Sequence, residues 1–137
     1  MNEESVKLEM LNAVLQDNRN NQNKLPATNK LDKLDLFIKH LLNKDSQERL
    51  LNDNILEVVR KWLEPLPDFS LPNIKIKKGI LEALRNIYIN KDLVLDSKIG
   101  VILHFYMINP KENKEIRNMA KEIVYNWLNK IMKEDEY

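Results

Sequence analysis

The sequence predicts an all-helical fold. Apolar residues recur at three- and four-residue steps through most of the chain, its only two glycines are twenty-one residues apart, and prolines fall between the periodic blocks. With 137 residues, one domain spanning 1–137 is expected, and about two thirds of the extended chain's surface would disappear on folding, enough for a real core without staples.

In the first block Leu8, Leu11 and Leu15 share a face, with Val14 close by. The polar run Asp17 to Lys24 offers nothing to bury and leads into Pro26, so the first helix is expected to stop near Gln16 or soon after. Thr28 or Asn29 can cap the second, in which Leu31, Leu34, Ile38, Leu41 and Leu42 recur up to Asn43. Asp45-Ser-Gln-Glu48 has capping-box spacing. Beyond it Leu51, Ile55, Val58, Val59, Trp62 and Leu63 form a stripe with a break expected near Asn52-Asp-Asn54. Pro65, Pro67 and Pro72 forbid regular helix, so an ordered loop is expected over about 64–73, with Leu66, Phe69 and Leu71 available to pin it.

The helical period resumes from Ile74 to Ile87, where Gly79 in mid-helix signals close approach of another helix. Leu93, Val94 and Leu95 suit a short turn. Ser97 can cap Lys98 to Ile108, which is apolar on nearly all sides and reads as a helix because a lone strand would have no partner. Asn109-Pro-Lys-Glu112 repeats the cap-box spacing ahead of the clearest amphipathic stripe, Ile116 to Met132. The residues fit an irregular bundle or a short curved stack of helical pairs.

Charge is balanced, 22 basic against 21 acidic residues, which argues against nucleic-acid binding by bulk charge. Absence of cysteine excludes thiolate catalysis and cysteine-ligated metals. The acidic start does not resemble a secretory signal, and no run approaches eighteen apolar residues, so an intracellular protein without a membrane segment is expected. Phosphate-loop, zinc-protease and calcium-loop patterns are missing. His40, near a helix end, and His104, in an apolar helix, read as packing or dipole-complementing residues, and serines 5, 46, 70 and 97 as caps. No catalytic residue, metal ligand or cofactor site is assigned. The one local charge imbalance is Lys75, Lys77, Lys78, Arg85 and Lys91, a basic 75–91 face that could attract an acidic peptide or, as the alternative reading, nucleic acid or a nucleosome.

The run Lys61-Trp-Leu-Glu-Pro-Leu-Pro-Asp-Phe-Ser-Leu-Pro-Asn-Ile-Lys-Ile-Lys77 resembles the signature of the conserved core of the Iws/Spn family of transcription elongation factors, which is related to the amino-terminal domain of elongation factor S-II. The resemblance extends through Ser97-Lys-Ile-Gly100, Asn109-Pro-Lys-Glu112, Met119-Ala120 and Trp127, and upstream through Asp17 to Ala27, so it covers nearly the whole chain. It implies a right-handed superhelical stack of about six to eight helices, akin to armadillo or HEAT packing. It also implies a non-enzymatic, nuclear, monomeric factor that binds a linear segment of the Spt-six histone chaperone and through it travels with RNA polymerase II, with weak or no nucleic-acid binding. That partner segment carries aromatic anchors among acidic residues. The resemblance sets the peptide-binding surface in a groove between the C-terminal helices, at Phe105 with Val101 and Tyr106, rimmed by Lys75, Lys77 and Lys78. Two positions depart from the family pattern: Val101 replaces a basic residue, and Trp127-Leu-Asn-Lys130 replaces Trp-Ser-Arg-Pro.

Overall fold

The structure, a computed structural model, describes residues 2–135, with the side chain of residue 135 excepted. It holds eight helices: α1 Glu3–Gln22, α2 Asn29–Leu42, α3 Lys44–Asn52, α4 Ile55–Leu63, α5 Ile74–Leu84, α6 Lys91–Ser97, α7 Ile99–Ile108 and α8 Lys114–Asp135; no strand occurs among the described residues. Helices α1, α4 and α7 pack in succession as one layer, and α2, α5 and α8 as a second. The short α3 and α6 bridge within and beside the first. The chain therefore climbs in three tiers, α1–α2, α3–α4–α5 and α6–α7–α8, around one continuous core that includes Met10, Phe37, Trp62, Ile80, Leu84, Leu103 and Tyr106.

The break between α3 and α4 falls where the sequence sets it, with Asn54 in the left-handed region at φ 61°. Trp62 and Trp127 are core residues. Trp62 is fully buried, tilts against Phe37 at 4.8 Å between ring centroids, and donates its indole N–H to the Met10 carbonyl at 2.9 Å.

Helix α1 departs from expectation in length and in face. It runs to Gln22, and its buried positions are Val6, Met10, Ala13, Val14 and Asp17, while Leu8 and Leu15 are more than half exposed. The cause is Asp17. Its carboxylate accepts from the Asn29 N–H at 2.7 Å, the Asn29 amide at 3.0 Å and the Lys30 N–H at 3.0 Å, so it caps α2 in place of Thr28, which makes no side-chain cap bond. A helix that must aim Asp17 inward also aims Val6 and Met10 inward, since these lie eleven and seven residues before it on the same face. Leu8 and Leu15 then turn outward.

Other caps shift by a residue or two. Asn43, not Asp45, caps α3 by accepting from the Asp45 and Ser46 N–H groups at 2.8 and 3.3 Å. Residues 109–112 form a turn, and Asn113 starts α8 by accepting from the Glu115 N–H at 2.8 Å. Leu93 to Leu95 lie in α6, started by Asn90, rather than in a bare turn. Helix α5 stops at Leu84, three residues early, although Ile87 and Ile89 stay buried. Ser97 does cap α7, its hydroxyl accepting from the Ile99 N–H at 3.2 Å. The proline-rich loop is closed by hydrogen bonds, Leu66 N–H to Ser70 O and Phe69 N–H to Leu66 O, both 2.8 Å. Phe69 does not pin it: with φ 68° its ring turns out and is 88% exposed.

The two glycines behave differently. A Cβ on Gly79 would lie 2.9 Å from Ile38 Cδ1 and 3.3 Å from the Leu34 methyls, so α5 and α2 do approach closely there. A Cβ on Gly100 would meet nothing within 4 Å. Gly100→Ala is therefore expected to raise stability by about 0.5–1 kcal/mol through helix propensity alone. Gly79→Ala should gain less because Ile38 must shift. Paired urea denaturation of the two variants checks the order; equal gains would show that the α5–α2 approach is loose.

Candidate functional site

A cleft of about 300 Å³ opens between α7 and the C-terminal end of α4, lined by Arg60, Glu64 and Pro65 on one wall and Lys98, Val101, Ile102 and Phe105 on the other. This cleft lies on the α4 side of α7, whereas the expected groove lies between the two C-terminal helices. Helix α7 buries Ile99, Ile102, Leu103 and Tyr106. Its 101, 105 and 108 positions share an outward face at four- and three-residue steps: Val101 is 72% exposed, Phe105 38% and Ile108 59%. Three large apolar side chains in a row on a helix surface form a contiguous greasy strip.

The electrostatics of the cleft come from residues the sequence reading did not select. Lys98, in the left-handed turn between α6 and α7, makes no ion pair among the described residues. Arg60 lies 3.3 Å from Glu64 and 3.9 Å from Glu57. Cations thus outnumber carboxylates on the lining by one. The signal in the sequence was slight: Arg60 and Glu64 share a helix face just before the proline loop, and Lys98 immediately precedes Ile99-Gly100.

Of the residues expected to bind, Phe105 and Val101 face the cleft. Tyr106 has no surface to offer; it is fully buried and donates its hydroxyl to the Leu63 carbonyl at 2.6 Å. That bond ties α7, which carries Phe105, to the last turn of α4, which carries the opposite wall. The Phe105 and Tyr106 rings also meet edge to face at 5.5 Å. On the other side of the same turn, the buried Lys30 ammonium reaches the Trp62 carbonyl at 3.5 Å. Two carbonyls that α4 cannot satisfy internally are thereby bonded by side chains of α2 and α7. Burial lowers the Lys30 pKa, with the Asp17 carboxylate pulling the other way.

The lysine rim is also rearranged. Lys77 is buried with its ammonium 3.0 Å from both oxygens of Glu112, so it clamps α5 to the turn before α8. Lys78 pairs with Glu115 at 2.8 Å, and Arg85 with Glu82 at 2.8 Å and Glu122 at 3.0 Å. Lys75 is exposed, and none of the three lysines lines the cleft. Glu112 before α8, with Glu115 and Glu122 on it, thus neutralises Lys77, Lys78 and Arg85 of the basic 75–91 face, which weakens it as a nucleic-acid surface. His40 and His104 stand on different helices, and neither lines the cleft. No cluster of residues suited to a metal ion, and no helix long and apolar enough to cross a membrane, is found among the described residues.

Burial raises the Tyr106 pKa above its usual 10.0, with the Glu112 charge adding to the shift. A phenol whose folded pKa is raised holds its proton in the native state after the unfolded chain has released it. Its stabilisation is complete below pH 10 and is lost as pH climbs toward the folded pKa. Tyr106→Phe should cost about 1 kcal/mol at pH 7 through loss of the Leu63 bond. The parent should then lose stability relative to this variant by about 1.4 kcal/mol per pH unit above pH 10. Denaturant midpoints of both proteins measured across that range test it; a pH-independent difference would mean that the hydroxyl is hydrated in the folded state.

Comparison with known proteins gives three findings. Residues 79–131 match the TFIIS helical bundle-like domain of the Med26 family model. The chain is 38% identical over 121 residues to transcription factor iws1 of Schizosaccharomyces pombe, covering 88% of this chain and 28% of that protein, and 34% identical over 138 residues to IWS1 of Yarrowia lipolytica, covering 97% and 32%. It thus spans about three tenths of the length of these curated relatives. Among solved structures it is similar to a chain of an Spt6-Iws1(Spn1) complex from Encephalitozoon cuniculi, with a TM-score of 0.91 and 43% identity over 93% of each chain.

Proposed function

Because the chain belongs to the Iws1 (Spn1) family of transcription factors, we propose that it is a non-enzymatic elongation-factor core that captures a linear, acidic, aromatic-bearing segment of Spt6. It thereby couples that histone chaperone to RNA polymerase II, acting in the nucleus as a monomer. The observation that carries this reading is the α4–α7 cleft, with Phe105 and Val101 turned toward solvent beside Lys98 and Arg60. The solved relative was crystallised as a complex with Spt6.

The chemistry follows from the walls. An aromatic anchor entering against Val101, Ile102, Phe105 and Pro65 would remove on the order of 150 Å² of its apolar surface from water, about 4 kcal/mol gross. Ordering the segment offsets part of that gain, so affinity also depends on the charged rim. Lys98 and Arg60 suit carboxylates flanking the anchor, and Glu64 can accept an N–H from the anchor or its backbone. Tyr106, Lys30 and Lys77 act indirectly, holding the walls in place.

Titration of the isotope-labelled chain with the Spt6 segment tests the proposal. The expected result is saturable, micromolar or tighter binding, with the amide shifts concentrated on 60–66 and 98–108. Absence of binding, or shifts confined to other faces, would refute it.

A further inference from the structure

A second and larger cavity, about 540 Å³, opens between α3, the turn following α5 and the start of α6. Its floor includes Leu51, 4% exposed, with the half-buried Leu93 beside it. On its rim stands Tyr88, 61% exposed although both chain neighbours, Ile87 and Ile89, are buried. The two isoleucines root the backbone on either side, and the Tyr88 N–H donates to Gln47 Oε1 at 3.2 Å. The ring is therefore presented outward by a fixed main chain, a cheap anchor in entropy because little remains to be ordered on binding.

The charges around it are unevenly satisfied. Lys44 lines the cavity, and the Lys130 ammonium of α8 lies 5.6 Å from the centroid of the Tyr88 ring. Neither lysine forms an ion pair among the described residues. The lining contributes one carboxylate, Glu48, and Glu134 close by is engaged by the Lys91 N–H at 3.2 Å. Asn52 offers an amide, with donor and acceptor side by side, as a peptide backbone requires.

We infer that this cavity is a second docking site, independent of the Phe105 cleft, for a short acidic peptide segment with an apolar side chain. The apolar side chain lies on Leu51, Leu93 and the Tyr88 ring, flanking carboxylates meet Lys44 and Lys130, and the segment's backbone bonds to Asn52. A nucleic-acid backbone fits less well: its unbroken row of phosphates would meet Glu48, whereas a peptide can set its few carboxylates at Lys44 and Lys130 alone. Leu93 borders this cavity and Lys98 borders the other, so α6 separates the two sites and both can be filled together. The chain would then join two acidic partners rather than hold one.

The test uses the full chain carrying Phe105→Glu, which closes the first cleft to acidic segments. A displayed random-peptide library is selected on this protein, and enriched peptides are titrated calorimetrically. Acidic sequences containing leucine or an aromatic residue should be enriched. Adding Tyr88→Ala or Lys44→Glu, both at exposed positions, should weaken those peptides about tenfold or more. No enrichment, enrichment of basic sequences, or affinities indifferent to both substitutions would overturn the inference. So would binding of a short DNA duplex that Lys44→Glu abolishes, which would assign the cavity to nucleic acid.

Discussion

Phe105→Glu is expected to lower the affinity for the Spt6 segment by roughly a hundredfold, about 3 kcal/mol, while leaving the helical content unchanged. Two effects add. The substitution removes the largest apolar surface of the α7 wall, where Phe105 is 38% exposed and backed by Tyr106. It also sets a carboxylate across from Glu64, cancelling the excess of one cation on the lining. Acidic residues of the segment would then lose the net attraction that drew them. Folding is spared because Tyr106, Leu103, Ile102 and Ile99, not Phe105, bury α7 in the core. Calorimetry together with far-ultraviolet circular dichroism checks both halves; an affinity within about twofold of the parent, in a variant of unchanged helicity, would remove Phe105 from the binding surface.

Asp17→Ala is expected to cost about 3 kcal/mol of folding stability, the largest effect we anticipate from a polar substitution here. The carboxylate is fully buried and accepts three hydrogen bonds from the start of α2, two of them from backbone N–H groups with no other acceptor in their own helix. Its loss leaves those donors unsatisfied, removes a favourable charge from a helix N-terminus, and leaves the buried Lys30 ammonium without its counter-charge. Asp17→Asn, which keeps one acceptor and the volume, should cost roughly half as much. Urea midpoints measure both. A loss below about 1 kcal/mol for the alanine variant would mean that water replaces the carboxylate.

The sequence made visible whatever depends on local spacing. Ile76, Ile80, Leu81 and Leu84, or Ile116, Ala120, Ile123 and Trp127, form stripes that any core would claim, and these helices lie where their periods put them. Asp17 was invisible because its value rests on backbone donors twelve and thirteen residues away, so an acidic residue that anchors a helix was read as part of a solvated run. The orientation of α1 was lost with it, since Leu8, Leu11 and Leu15 are three leucines at helical spacing, whereas the buried face relies on the smaller Val6, Ala13 and Val14 beside Met10. Lys77 and Glu112 were each assigned a local role, rim and cap, yet they meet across thirty-five residues. In the cleft, Phe105 and Val101 came from motif resemblance. Arg60, Glu64, Pro65 and Lys98 became neighbours only once α4 and α7 were packed, and no spacing rule encodes that meeting.

The bonds at the end of α4 bear on how the chain comes apart. In a linear array of stacked units each touches only the next, and terminal units can fray alone. Here the last carbonyls of the middle unit are held by Lys30 from the unit before it and by Tyr106 from the unit after it. Detaching either outer unit would strip a buried acceptor of its donor, so the three tiers should melt together in one sharp transition, and neither end should survive as a stable fragment.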